Sequence, residues 1–180
     1  IQTPEFGPKL DVILRYRAKD LYGIVNGIDT DSFNPANDKA IDKPYSLRNY
    51  ISGKKANKIA LQKELGLEEK PDTLLFGMVS RLTFQKGADI FLGAMQNILH
   101  QDVQVAVLGT GESKHEYSFK MLENENKGRF VYYCGYNEGL AHRMYAGLDM
   151  LAMPSLFEPC GISQLIAMRY GTLPLVRETG

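Results

Sequence analysis

Short apolar runs alternate with helical patterns over residues 74–176, and this alternation limits the fold more than any other feature of the sequence. Each run is apolar over nearly its whole length and needs cover on both faces, which is typical of strands in a parallel sheet. We therefore predict an α/β fold, in which a Rossmann-like parallel sheet has helices on both faces. The predicted strands are 74–80, 103–108, 130–134, 149–153 and 173–176, and the predicted helices are 86–99, 114–124, 137–145 and 162–169.

The part of the chain before residue 74 is less regular. The pattern predicts an amphipathic stretch at 10–21, a short strand at 23–28, a long loop over 29–57 and a helix over 54–65 that ends at Gly66. We predict a lead-in segment over 1–23, followed by one domain over 24–180.

Composition excludes several classes of partner. The 180 residues include 21 Lys and Arg and 21 Asp and Glu, so the formal net charge is zero. A neutral chain has no long-range attraction for nucleic acid or an anionic membrane, and no apolar run is long enough to span a bilayer. We expect no nucleic acid or membrane partner, and phosphate binding would need a few placed cations.

The cysteines and the first residues bear on the cellular location of the protein and on whether the chain is part of a longer polypeptide. Cys134 and Cys160 form no disulfide framework, so we expect reduced thiols and a cytoplasmic protein, or a plastid one in a plant. The chain starts without Met or a signal-peptide pattern, and we expect it to be the middle of a longer polypeptide.

The residues that could bind a ligand or take part in a reaction follow the predicted strands. They are Ser80-Arg81, Gly109-Thr110-Gly111, Gly135-Tyr136 and the segment 154–161. The carboxyl ends of parallel strands meet at one edge of the sheet, and ligands of open α/β sheets bind there. The sequence therefore predicts one binding site at this edge.

Two cations share one of these loops. Arg81 can bind an anion through its planar fork, and Lys86 can bind one as a point charge. Lys86 also falls near the start of a predicted helix, where the helix dipole favours an anion. We predict a phosphate site, the alternative being two solvated surface cations.

The second feature is the segment from Glu158 to Ser163. Gly161 allows a ligand to approach the backbone, and a helix that starts near Ile162 offers free N–H groups to a phosphate. Glu158 would repel a phosphate, so it suits sugar hydroxyls or a developing positive charge on a sugar carbon. The alternative is a glutamate that caps a helix or forms a salt bridge.

Other signals are weaker. Tyr136 can stack on a base, although the residues alone favour an aromatic ring that covers the core. Gly109-Thr110-Gly111 lacks the full dinucleotide-binding fingerprint. We assign no metal-binding or catalytic role to the histidines, which are His100, His115 and His142.

Together these motifs resemble those of glycogen and starch synthases, over the whole chain. The motifs are Asn26-Gly27-Ile28-Asp29, Phe33-Asn34-Pro35, 80–87, 108–111, 135–138 and 154–161. The resemblance implies one half of a two-domain GT-B fold, namely the C-terminal, nucleotide-sugar-binding domain. It also implies a retaining transferase that moves glucose from ADP-glucose to the non-reducing end of an α-1,4-glucan, without a metal or other cofactor.

The resemblance assigns a role to each candidate residue. Arg81 and Lys86 bind the diphosphate and stabilise it as it leaves, and Glu158 holds the glucose and faces its oxocarbenium-like centre. Tyr136 stacks on the adenine, and Asn26 approaches the glucose or the acceptor. The remaining donor-binding positions are Gly109, Thr110 and the backbone at Cys160, Gly161, Ile162 and Ser163.

The chain departs from the family pattern in two ways. Related transferases carry a second glutamate that binds ribose, and Ile166 occupies that position here. We expect the family's N-terminal domain, with its Lys-Thr-Gly-Gly loop, to lie outside this chain and the chain alone to be inactive. The alternatives are a related GT-B transferase that uses another sugar nucleotide and a non-catalytic nucleotide- or glucan-binding module.

Overall fold

A five-stranded, all-parallel sheet forms the centre of the computed structural model, which describes residues 1–5, 7 and 9–179. The strand order is β3-β2-β1-β4-β5. The strands are β1 (Leu74–Val79), β2 (Val103–Gly109), β3 (Phe130–Cys134), β4 (Met150–Met153) and β5 (Leu173–Val176). The predicted α/β fold and its strands are confirmed, and the direction of winding reverses between β1 and β4, which creates a crevice at their carboxyl ends.

Helices cover both faces of this sheet. The helices are α1 (Asp11–Tyr16), α2 (Tyr50–Leu65), α3 (Ala88–Ile98), α4 (Ser113–Glu125), α5 (Glu138–Gly147) and α6 (Ile162–Arg169), of which α2 to α6 contribute to the buried clusters on the two faces. Leu75 of β1 belongs to a buried cluster shared with α2, α5 and α6, whereas Phe76 belongs to a cluster shared with α3 and α4. Successive strand residues thus pack into opposite layers, as expected for a sheet buried on both sides.

The predicted strand at 23–28 is wrong. This segment has no regular secondary structure and pairs with no strand, and its apolar residues Ile24 and Val25 are exposed. Neither edge strand of the sheet, β3 or β5, pairs with it. Apolar character alone predicted a strand there, but a strand needs a hydrogen-bonding neighbour.

Two helix boundaries also differ from those predicted. Helix α2 begins at Tyr50, so it includes residues that were assigned to the long loop, and it ends at Gly66 as expected. Helix α3 begins at Ala88, because Gly87 takes a left-handed conformation with φ 71°. Lys86 therefore lies in a short 3₁₀ turn, Phe84–Lys86, just ahead of α3 and not within it.

The irregular segment 29–49 is anchored by a buried carboxylate, Asp38. Its Oδ2 atom lies 2.7 Å from His142 Nδ1 and accepts a hydrogen bond of 2.5 Å from Tyr170 Oη. Its Oδ1 atom accepts a bond of 2.8 Å from the N–H of Ala40. Burial raises the pKa of Asp38, but the hydrogen bonds from Tyr170, His142 and Ala40 outweigh it and hold the pKa below its ordinary value.

Asp38 should make the stability of the chain depend on acid pH. Its pKa is lower in the folded state than in the unfolded chain, so the unfolded chain takes up the proton first as the pH falls. The stabilisation is present above about pH 4 and is lost as the pH falls through the folded-state pKa. We expect urea denaturation to show a decline in stability below about pH 4 that is shallower in Asp38→Asn.

The matched control is Asp42→Asn, which removes an exposed carboxylate from the same segment. It should keep the acid dependence of the parent chain. Equal slopes for the parent chain and Asp38→Asn would contradict the role given to Asp38.

No helix among the residues that the structure describes is both long enough and apolar enough to cross a bilayer.

Candidate active site

A pocket of about 220 Å³ lies in the crevice between the carboxyl ends of β1 and β4. Its walls come from the loop after β1, the loop after β4, the start of α6 and the irregular segment near residue 26. The predicted site residues that line it are Asn26, Lys86, Glu158, Cys160, Gly161, Ile162 and Ser163. The structure thus brings together at this edge residues that lie far apart in the sequence.

The charged centre of the pocket is a salt bridge between Lys86 and Glu158. Lys86 Nζ lies 2.5 Å from Glu158 Oε1, and Ser155 Oγ donates a hydrogen bond of 2.8 Å to the same oxygen. Only 19% of the Lys86 side chain and 12% of the Glu158 side chain are exposed. Lys86 is therefore not a solvated surface cation. The alternative prediction that Glu158 forms a salt bridge is confirmed.

Contacts between the two loops hold this salt bridge in place. The N–H of Leu156 donates to the carbonyl of Gln85 at 2.9 Å, and Gln85 Nε2 donates to the carbonyl of Phe157 at 3.3 Å. These bonds connect the residue before Lys86 to the residues just before Glu158. The separation of cation and carboxylate is consequently set by backbone geometry as well as by their mutual attraction.

The start of α6 provides hydrogen-bond donors to the same pocket. Gly161 precedes the helix in a left-handed conformation with φ 75°, which a residue with a side chain rarely adopts. Within the described part of the chain, the N–H groups of Ile162 and Ser163 have no backbone acceptor. Cys160 Sγ lies 3.6 Å from the carbonyl oxygen of Asn26, so the segment near residue 26 lies against this turn. Free N–H groups at a helix start bind anions.

Arg81 lies beside the pocket and does not line it. Its side chain is exposed and makes no hydrogen bond or ion pair with any residue that the structure describes. The backbone next to it is fixed, because the N–H of Leu82 donates to the carbonyl of Thr110 at 2.9 Å. The guanidinium group is thus exposed to solvent on a loop whose backbone is held in place.

Gly109 and Thr110 also lie outside the pocket. A Cβ atom on Gly109 would lie 1.9 Å from the carbonyl oxygen of Ser80, so this glycine permits close contact between the loops after β1 and β2. Thr110 Oγ1 donates to Glu116 Oε1 at 2.6 Å, at the start of α4. Close packing of the two loops accounts for the glycine at residue 109, and the hydrogen bond to Glu116 accounts for Thr110. A contact of either residue with a donor stays a prediction.

Tyr136 extends into solvent at the end of β3, with 85% of its surface exposed. The interpretation that it covers the core is therefore wrong, and its ring is accessible to a ligand. Ile166 is buried in the core on α6, where it packs with the helices on one face of the sheet. It contributes no polar group to the pocket.

Ser155 was missed by the sequence analysis. Ser155 is only 2% exposed, and its hydroxyl donates a hydrogen bond to the carboxylate of Glu158. The available signal was its position three residues before Glu158 in a loop, a spacing at which serine hydroxyls often bond nearby groups.

Among residues 1–5, 7 and 9–179, no group of three or more His, Cys, Asp or Glu side chains could hold a metal ion.

The fold is that of a glycosyl transferase domain, and the chain belongs to the group 1 glycosyl transferases, since the model described as "Glycosyl transferases group 1" matches residues 57–180. Over all of its residues the chain is 48% identical to a glycogen synthase of Anaeromyxobacter sp. strain Fw109-5 and 50% identical to one of Clostridium perfringens. It spans 38% and 37% of the lengths of these relatives.

A solved structure shares the same fold. The catalytic domain of starch synthase IV from Arabidopsis thaliana, bound to ADP and acarbose, superposes with a TM-score of 0.93 at 38% sequence identity. The match covers 99% of this chain and 37% of that one. The family resemblance stated from the motifs is thereby confirmed.

Proposed function

We propose that the chain forms the donor-binding part of an enzyme that transfers glucose from ADP-glucose to the non-reducing end of an α-1,4-glucan, with retention. The observation that carries this proposal is the pocket in which the Lys86 ammonium, the Glu158 carboxylate and the free N–H groups of α6 converge. The similarity to glycogen synthases supports the reaction. The ADP bound by the related starch synthase IV supports the nucleotide.

The arrangement suits the charges that develop when a sugar leaves a diphosphate. As the bond between the anomeric carbon and the phosphate oxygen breaks, negative charge grows on the diphosphate and positive charge grows on the sugar. Lys86 and the N–H groups of Ile162 and Ser163 stabilise the diphosphate, and Arg81 moves from solvent to join them. Glu158 holds the glucose and stabilises its positive charge.

The other candidate residues complete the donor site in this proposal. Tyr136 stacks on the adenine, and Asn26 approaches the glucose or the acceptor. Gly109 and Thr110 bound the nucleotide side of the site. Arg81 and Lys86 supply the positive charge that a divalent metal supplies in other transferases, so the proposed reaction needs no metal.

We also propose that a partner domain supplies the second wall of the cleft and the glucan-binding surface. The chain spans 38% of the length of a glycogen synthase relative, so most of such an enzyme lies outside it. The chain alone is then expected to bind nucleotide without transferring glucose. The proposed cellular location is the cytoplasm, or the plastid in a plant.

A nucleotide titration of the chain tests the proposal. We expect NMR shifts on adding millimolar ADP at residues of the pocket and at Tyr136, and weaker binding of UDP. Base–aromatic stacking contributes about 1–3 kcal/mol, so Tyr136→Ala should weaken ADP binding by about fivefold or more. Tyr136→Phe keeps the ring and should bind ADP like the parent chain.

The absence of ADP binding by a folded chain at millimolar ADP would contradict a preformed donor site. A preference for UDP over ADP would instead favour a related transferase that uses another sugar nucleotide.

A further inference from the structure

The hydrogen bonds to the Glu158 carboxylate all reach one of its two oxygens. Within the described part of the chain, Lys86 Nζ and Ser155 Oγ both contact Oε1, at 2.5 Å and 2.8 Å, and no donor contacts Oε2. Glu158 lines the pocket. The carboxylate therefore has one oxygen held by the protein and a second oxygen left for a ligand.

The two donors differ in how firmly they can hold Oε1. Lys86 carries a long, flexible side chain, and in the proposed reaction its ammonium also binds the diphosphate. Ser155 has a short side chain with one rotatable bond to its hydroxyl, and it is 2% exposed. Ser155 is buried, and the backbone of the next residue, Leu156, is bonded to the carbonyl of Gln85, so this hydroxyl has little freedom to move. Of the two contacts, that of Ser155 is the one that a movement of Lys86 towards a phosphate would leave in place.

We infer that Ser155 is a positioning residue for the transfer reaction: its hydroxyl fixes Oε1 of Glu158 and thereby presents Oε2 to the sugar of the donor. The inference rests on the proposed function. Ser155 acts through Glu158 and has no contact of its own with the donor. Its effect is therefore expected on the chemical step, where the carboxylate faces the developing positive charge.

The test is steady-state kinetics with the complete gene product, ADP-glucose and a glucan primer. A hydrogen bond to a charged group is worth a factor of about ten or more, so Ser155→Ala should lower kcat by about tenfold or more. The KM for ADP-glucose and the inhibition constant of ADP should change by less than threefold, because the phosphate contacts at Lys86 and α6 remain. Ser155→Thr keeps a hydroxyl and should restore most of kcat.

A double-mutant cycle separates positioning from a purely structural role. In a Glu158→Gln background, where the charged partner is gone, Ser155→Ala should lower kcat by less than twofold further. A structural role would instead weaken ADP inhibition and would add to the loss in the Glu158→Gln enzyme. The cycle also decides the matter if the extra methyl group of Ser155→Thr prevents folding.

The outcomes separate this inference from the proposed function. Normal kcat in Ser155→Ala, or additive losses in the cycle, would overturn the positioning role and leave the proposed function intact. No glucosyl transfer by the parent enzyme would contradict the proposed function, and the inference would fall with it.

Discussion

Replacing Lys86 by alanine is expected to lower the kcat of the complete gene product by about a hundredfold or more. Lys86 is the one cation that lines the pocket among the described residues, and Ile162 and Ser163 at the start of α6 line the same pocket. Removing one preorganised donor to a developing negative charge typically costs a factor of about a hundred to a thousand in kcat. The loss should fall on kcat because the charge on the leaving diphosphate grows during the reaction.

Two controls make this result interpretable. Lys63→Ala removes an exposed lysine from α2, far along the chain from the pocket, and should leave kcat unchanged. Urea denaturation of Lys86→Ala reports whether the loss of the ion pair with the largely buried Glu158 has unfolded the domain. A folded Lys86→Ala enzyme with kcat within threefold of the parent would exclude the role in stabilising the leaving group.

Replacing Gly109 by alanine is expected to cause a large loss of stability. The new Cβ atom would lie 1.9 Å from the carbonyl oxygen of Ser80 and 3.5 Å from Leu82 Cδ2. A backbone oxygen cannot move aside as a flexible side chain can, so the loops after β1 and β2 must separate. We expect the free energy of unfolding to fall by about 3 kcal/mol, measured by urea denaturation of the chain.

Gly93→Ala is the matched control for this substitution. Gly93 lies within α3, is exposed, and a Cβ atom there would meet no atom within 4 Å. Because alanine favours a helix interior more than glycine does, this change should raise the free energy of unfolding by roughly 0.5–1 kcal/mol. If Gly109→Ala proved as stable as Gly93→Ala, close contact between the two loops could not be the reason for glycine at residue 109.

The sheet was predictable from the sequence because its strands are short, apolar and separated by turn residues. Runs such as 130–134 and 173–176 match the observed strands residue for residue. The prediction failed at 23–28, where an apolar run has no neighbouring strand with which to pair. The hydrophobic pattern of a sequence predicts which residues are buried. Strand formation also depends on a neighbouring strand that is distant in the sequence.

The location of the site was predictable for a topological reason, but its contacts were not. Parallel strands place the loops that carry Lys86 and Glu158 at one edge, whatever the side chains do. The sequence could not show that these two residues pair with each other, or that Ser155 shares the same oxygen. Such contacts depend on loop conformations, and these are fixed by hydrogen bonds between segments that have no pattern in common.

The backbone bonds around the pocket have a consequence for how a ligand is received. The loop after β1 is joined on one side to the loop after β2, through Leu82 and Thr110, and on the other side to the loop after β4, through Gln85 and Leu156. The walls are therefore in place before any ligand arrives. A ligand that enters has little loop entropy to remove on this side of the pocket, so selectivity there depends on complementarity to a backbone that is already in place.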